Sequence, residues 1–160
     1  MDSKTKSQMI KRKLLVLLFI FITAFAYSQE MENINGKYYK KGMLYSGVHT
    51  EYYENNHPKT ILNISNGELE GMVTIFFENG TKQEQRSYKN GVKDGLWITW
   101  DESGMKTAEA EYKNNLKHGA WMIWSADGKP LYELHYNLGK KTGNWKIYDE
   151  TGKLKSERKY

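Results

Sequence analysis

Five glycines recur every 24 residues and divide most of the chain into equivalent units. These position-zero glycines are Gly47, Gly71, Gly95, Gly119 and Gly143. Position five of every unit is aromatic, although aromatics make up only 14% of the chain. A fixed period of this length is typical of repeat proteins, in which each unit packs only on its neighbours. The repeat constrains the fold more than any other feature of the sequence.

Each unit has the pattern of a β-hairpin. In the third unit "LWITWD" is rich in aromatic and β-branched residues, which favour strands, and "ESG" follows it as a turn. A second strand ends at the aromatic position seventeen, and "KNGVKDG" (89–95) reads as a longer connection to the next hairpin. The turn glycines recur at position nine: Gly80, Gly104, Gly128 and Gly152. The fold class that follows is all-β, a single-layer antiparallel meander of about ten strands.

The turn residues predict how the two strands of a hairpin pair. A two-residue type I′ turn would force Thr151 into a positive φ, which strains a β-branched residue. A three-residue loop at positions seven to nine, closed by glycine in the left-handed region, avoids that strain. Position five then pairs with position eleven, and odd positions of both strands share one face.

This register divides the aromatic residues between two faces. The odd face is predicted to form a buried structural spine of position-five and position-seventeen aromatics: Tyr52, Phe76, Trp100, Trp124, Tyr148, Tyr88, Tyr112 and Tyr136. The even face is predicted to carry tryptophans, Trp97, Trp121 and Trp145, each opposite a carboxylate, Glu109, Glu133 and Glu157. His49 and Val73 are placed opposite Ile61 and Gln85 on that face. A row of indoles bordered by acids is a candidate binding surface for a sugar chain, a cationic group or a peptide. Cover for the sheet is the alternative interpretation.

The segment Met1–Ser28 reads as a signal peptide. Five basic residues precede the 13-residue apolar run 14–26, which is shorter than the roughly 20 residues of a membrane span. An uncleaved anchor is the alternative. Cleavage between Ser28 and Gln29 would give an exported chain, periplasmic or secreted, with no transmembrane span, and a repeat domain at 29–160 with an N-terminal cap at 36–46.

Charge and chemistry exclude several classes of protein. Residues 1–28 hold five of the 24 basic and one of the 19 acidic residues, which leaves 19 against 18 and no basic stripe for nucleic acid. There is no cysteine, so stability must come from packing rather than disulfides. The four histidines occupy four different repeat positions, and no catalytic motif occurs. We therefore expect neither enzymatic activity nor a metal or other cofactor.

The motif "GLWITWDESGMKTAEAEYKNN" (95–115) resembles the MORN-repeat variant, with copies at 71–91 and 119–139 and a partial copy at 143–160. The opening "KYYKKGMLYSGVHTEYYENN" (37–56) resembles the first unit of YwqK-type proteins, which are often catalogued as antitoxins. The resemblance implies a single-layer sheet that serves as an interaction platform. The leading prediction is an exported, non-catalytic scaffold that binds a protein or an envelope component. The alternatives are a carbohydrate-binding repeat protein that uses its tryptophan row, and an antitoxin or immunity partner.

Overall fold

The computed structural model describes residues 31–160. The predicted signal peptide therefore lies outside the described residues. The described residues divide into two units, with the boundary between Leu44 and Tyr45. In the first unit the described strands form one antiparallel three-stranded sheet: β1 (Met31–Ile34), β2 (Lys37–Lys40) and β3 (Met43–Leu44).

The second unit contains one twelve-stranded antiparallel sheet. Its strands are β4 (Gly47–Tyr52), β5 (Pro58–Ser65), β6 (Glu68–Leu69), β7 (Gly71–Phe76), β8 (Lys82–Lys89), β9 (Val92–Trp100), β10 (Lys106–Lys113), β11 (Leu116–Trp124), β12 (Pro130–Asn137), β13 (Lys140–Lys141), β14 (Asn144–Tyr148) and β15 (Leu154–Lys159). Ten strands lie side by side in chain order from β4 to β15, while β6 pairs with β5 and β13 with β12. The predicted all-β antiparallel meander is confirmed.

Two kinds of turn alternate along this sheet. At the hairpin tip, the Gly104 N–H donates to the Asp101 carbonyl (2.9 Å), and the Asp101 N–H donates to the Met105 carbonyl (2.9 Å). Gly104 has φ of 85°, which glycine adopts without strain. This three-residue loop closed by a left-handed glycine was predicted from the turn residues, and the prediction is confirmed.

The connection between hairpins is shorter than the sequence suggested. Lys89 pairs with Val92, so "KNGVKDG" contains a two-residue turn rather than a long loop. Asn90 and Gly91 have φ of 49° and 74°, as a type I′ turn requires at both central residues. The strand resumes at Val92, and the sheet gains residues that the sequence analysis had assigned to a connection.

A β-bulge near every hairpin tip changes the register. Trp100 pairs with Lys106 as predicted, but Thr99 pairs with Ala108, which leaves Thr107 as an extra residue. The same shift occurs at position twelve of every unit: Lys59, Gln83, Thr107, Leu131 and Lys155. Because side chains alternate between faces, one extra residue moves the rest of the second strand to the other face.

The predicted partners on the even face are therefore wrong. The tryptophans pair with position fifteen rather than fourteen: Trp97 with Ala110, Trp121 with Leu134 and Trp145 with Arg158, instead of Glu109, Glu133 and Glu157. Likewise, His49 pairs with Leu62 and Val73 with Arg86, not with Ile61 and Gln85. Position seventeen now shares a face with the tryptophans, and the acids at position fourteen share the other face with the position-five aromatics.

Few side chains of this sheet are fully buried. The buried hydrophobic residues among 31–160 are Leu62, Ile64 and Val73, at 6%, 5% and 4% exposure. All three lie on the tryptophan face, at its N-terminal end, because they occupy positions fifteen, seventeen and two. Most other side chains of the sheet are half-buried.

Candidate binding face

Seven aromatic rings follow one another across the tryptophan face. We call this row the aromatic ladder: Tyr88, Trp97, Tyr112, Trp121, Tyr136, Trp145 and Tyr160. Neighbouring ring centroids lie 4.8–6.1 Å apart, and the ring planes are inclined by 52–61°. These are favourable geometries for aromatic pairs. The predicted tryptophan row is real, but a tyrosine separates each tryptophan from the next.

Two position-zero glycines next to the ladder lie where a larger residue would meet the preceding unit. Gly119 has φ of 60°, and a Cβ at that position would collide with the carboxylate of Glu111. Gly95 has φ of 104°, and a Cβ there would lie 3.0 Å from the Cβ of Ser87. At both positions any other residue would be strained in its backbone and crowded by position sixteen of the preceding unit. Glycine is therefore sterically required at these two positions, each two residues before a tryptophan, Trp97 and Trp121.

Two of the three ladder indoles also anchor to the preceding unit. Trp121 Nε1 donates to the Glu111 carbonyl at 3.1 Å, and Trp145 Nε1 donates to the His135 carbonyl at 3.0 Å. Trp97 Nε1 is buried without a hydrogen-bond partner in residues 31–160. These bonds fix the indoles against the sheet, so Trp121 and Trp145 have clear structural roles.

A lysine lies over each tryptophan–tyrosine pair of the ladder. We call these the ladder lysines: Lys93, Lys117 and Lys141. Their Nζ atoms lie 4.2, 4.4 and 4.3 Å from the tryptophan ring centroids, and 5.0, 4.9 and 4.8 Å from the tyrosine ring centroids. All six distances are within the range of cation–π attraction. These lysines were not among the predicted site residues, although they recur every 24 residues, two residues before a glycine.

The next hairpin holds the backbone of each of the first two ladder lysines. The Lys93 N–H donates to Asn115 Oδ1 (2.8 Å), and the Lys93 carbonyl accepts from the Asn115 N–H (2.9 Å). The Lys117 carbonyl accepts from the Gly139 N–H (2.8 Å). The turn that ends each of these two hairpins therefore holds the lysine that covers the tryptophan–tyrosine pair of the same hairpin.

The three predicted glutamates form their contacts on the opposite face. Glu109 accepts from Lys106 Nζ (2.6 Å), and Glu157 accepts from Asn144 Nδ2 (2.7 Å). Glu133 accepts from Lys146 Nζ (3.2 Å) and from the Tyr148 hydroxyl (3.1 Å). None of these contacts reaches a ladder indole.

The contacts of Glu133 lower the pKa of its carboxyl group. Desolvation acts to raise the pKa of Glu133, but the hydrogen bonds from Lys146 and Tyr148 outweigh it and lower the pKa below its usual value. Desolvation, followed by the bond to Glu133, raises the pKa of Tyr148. Within the ladder, burial raises the pKa of the Tyr112 phenol. Glu133 is therefore an ionised partner of Lys146, without the raised pKa of a general acid.

The position-five aromatics do not form the buried spine that was predicted. Tyr52 is 61% exposed, and Phe76, Trp100, Trp124 and Tyr148 are only half-buried. Their partners at position seventeen, Tyr88, Tyr112 and Tyr136, lie on the ladder face instead, because of the bulge. The rings that stack in sequence across the sheet are those of positions two and seventeen.

Two features are absent from the described residues 31–160: a group of metal-ligating side chains and a helix that could span a membrane. No group of three or more histidine, cysteine, aspartate or glutamate residues within 31–160 is placed to hold a metal ion. Over the same residues, no helix has the length and hydropathy that a membrane span requires. The arrangement that repeats across the described sheet is the aromatic ladder with its lysines.

The stacked hairpins, the positive-φ glycine in each unit and the repeating aromatic pair define a class of β-repeat scaffold. The chain belongs to the MORN repeat variant family, whose pattern matches residues 69–90, 93–114, 117–138 and 141–160. Each matched segment after the first begins at a ladder lysine: Lys93, Lys117 and Lys141. No curated protein matches the chain.

Proposed function

We propose that this chain is an exported, non-catalytic repeat scaffold that binds a protein partner through the ladder face of its sheet. The observation that carries the proposal is the aromatic ladder, a continuous row of seven partly exposed rings with three lysines over them. Aromatic side chains are enriched at the centres of protein interfaces. A row repeated in every unit suits a linear partner that makes the same contact several times.

The alternative functions have weaker support from the geometry. A carbohydrate would stack on the tryptophan ring faces, but the ladder lysines already lie over Trp97, Trp121 and Trp145. The carboxylates that could have bound sugar hydroxyls face the other way. The antitoxin role implied by the resemblance to YwqK-type proteins stays a prediction, and it would be one form of protein binding.

Export is supported by the sequence of Met1–Ser28 alone. The test is to express the full chain in a bacterial host and to determine the N-terminus of the protein by mass spectrometry in cytoplasmic, envelope and culture fractions. We expect a protein that begins at Gln29 outside the cytoplasm. A protein that retains Met1 and stays in the cytoplasmic fraction would contradict export without affecting the proposed binding face.

Site-specific photocrosslinking tests binding through the ladder face. One photoreactive residue replaces Ile147, which lies on the ladder face two residues after Trp145 and is 38% exposed. A second replaces Leu96 on the opposite face, 48% exposed, and a third replaces Ser103 in an exposed turn. We expect a discrete crosslinked protein from Ile147 alone. Crosslinks from Leu96 alone would show that the partner binds the opposite face. If none of the three sites gives a discrete product, the proposal is overturned.

A further inference from the structure

The proposed function leaves open what kind of protein segment the ladder face recognises. We propose that the ladder lysines bind an acidic, extended segment of the partner, with one carboxylate at about every third residue. This inference rests on the proposed function, because it names the chemistry of the partner at the same face. Three observations carry it: the ladder lysines form no ion pair within residues 31–160, they are regularly spaced, and contacts hold them in position.

The ladder lysines lack the acidic partners that other lysines of the sheet have. Within residues 31–160, four other lysines form ion pairs: Lys106 with Glu109, Lys113 with Asp94, Lys129 with Asp127 and Lys146 with Glu133. No ion pair in that range includes a ladder lysine. The nearby acid Glu84 is paired with Arg86, whose guanidinium lies 5.1 Å from the Trp97 ring centroid. The face therefore presents three ammonium groups that a partner's carboxylates can complement.

The spacing of these ammonium groups matches one extended conformation. Equivalent residues of successive units lie two strands apart, which corresponds to about 9.6 Å across a sheet. A polyproline II segment advances about 9.3 Å in three residues, and every third side chain points the same way. A β-strand repeats its side-chain direction at about 6.7 Å, which does not match.

The lysines are already held where a carboxylate would need them. Each Nζ lies over two rings, and the backbones of Lys93 and Lys117 are hydrogen-bonded to the following turn. A side chain that is ordered before binding loses less conformational entropy when the partner arrives. The side of the ammonium group that faces away from the rings can form a hydrogen-bonded ion pair. Three such pairs on one peptide act together, although each is modest.

A synthetic peptide tests this proposal directly. The probe is a fluorescein-labelled peptide of four Glu-Pro-Pro repeats, and its binding to protein purified from expression of the full chain is measured by fluorescence anisotropy. We expect saturable binding that weakens as salt is raised, because the ion pairs are exposed. A peptide of the same composition with its four glutamates adjacent should bind about tenfold more weakly, and a peptide of four Gln-Pro-Pro repeats should not bind measurably.

Matched variants locate the binding. The triple variant Lys93→Gln, Lys117→Gln, Lys141→Gln should weaken peptide binding about tenfold or more. The control triple removes the same charge from lysines that lie over rings outside the ladder, Lys59→Gln, Lys82→Gln, Lys106→Gln, and should change binding by less than about twofold. Arginine at the three ladder positions should preserve binding. Circular dichroism of every variant shows whether the sheet is intact.

Other outcomes overturn the proposal. Equal losses in the two triple variants would mean that net charge alone matters. Absence of peptide binding, or binding only to phosphatidylserine vesicles or to a sulfated glycan, would exclude an acidic protein segment. If photocrosslinking from Ile147 still captures a protein in those cases, the proposed scaffold function stands and the partner has different chemistry. If the peptide binds through the ladder lysines but no protein is crosslinked, the proposed function is wrong while the acidic-segment site remains.

Discussion

The two ends of the ladder face fill the same repeat positions with different side chains. At the N-terminal end, which we call the aliphatic end, Val73 holds position two and Ile64 holds position seventeen, at 4% and 5% exposure. At the C-terminal end the same positions hold Trp145 and Tyr160, and Tyr160 is 41% exposed. The same backbone pattern therefore supports a small buried core at one end and a partly exposed aromatic surface at the other. The side chains at positions two and seventeen determine which of the two forms.

Position twenty-two shows the same division. It holds Leu69 at the aliphatic end, and Lys93, Lys117 and Lys141 along the ladder. A lysine can cover an aromatic pair and keep its ammonium group in water, whereas leucine offers only apolar surface. The aliphatic end therefore stabilises the sheet, while the aromatic end combines stability with a charged surface. Substitutions at the two ends should separate these roles.

The largest expected effect is at the aliphatic end. Leu62→Ala removes three buried carbons from a side chain that is 6% exposed, and should lower the free energy of unfolding by about 3 kcal/mol. Leu96→Ala, at a side chain that is 48% exposed on the opposite face, should cost less than about 0.5 kcal/mol. Urea denaturation followed by circular dichroism measures both. Equal losses would mean that burial on the ladder face does not set how much these leucines stabilise the sheet.

The next largest loss of stability is expected from substitutions at two position-zero glycines. Gly119→Ala forces alanine into φ of 60° and against Glu111, whereas Gly71→Ala at φ of 78° meets no atom within 4 Å. Backbone strain should cost about 1 kcal/mol in each variant, and the collision should add about 1 kcal/mol at Gly119. The same denaturation experiment measures the difference. Adding Glu111→Ala to Gly119→Ala should recover part of the loss, and no recovery would show that the steric account is wrong.

The sequence predicted the parts of this fold that depend on local chemistry. The glycine period gave the repeat, and the strained position of Thr151 in a two-residue turn gave the correct three-residue loop. The antiparallel meander followed from those two features. Residues such as glycine in turns have few conformational alternatives, so their placement can be read without knowledge of the rest of the molecule.

The candidate site was harder to predict, because it depends on one residue per hairpin. Nothing in the residue type of Thr107 marks it as a bulge. As the extra residue in its strand, it nevertheless places Tyr112 on the same face as Trp97 and Glu109 on the opposite face. A register error of one residue reverses every face assignment beyond it. The ladder lysines were visible in the repeat, but their role depends on which rings share their face.

The smallest effect tests the anchoring of the ladder itself. Trp121→Phe removes the hydrogen bond from Nε1 to the Glu111 carbonyl, whereas Trp97→Phe removes an indole N–H that is buried without a partner. Since a hydrogen bond to the backbone contributes about 1 kcal/mol, Trp121→Phe should be more destabilising than Trp97→Phe by about that amount. Trp145→Phe, which loses the bond to the His135 carbonyl, is the matched control and should behave like Trp121→Phe. If all three variants lose the same stability, ring packing alone holds the tryptophans, and the indole hydrogen bonds contribute nothing to the sheet.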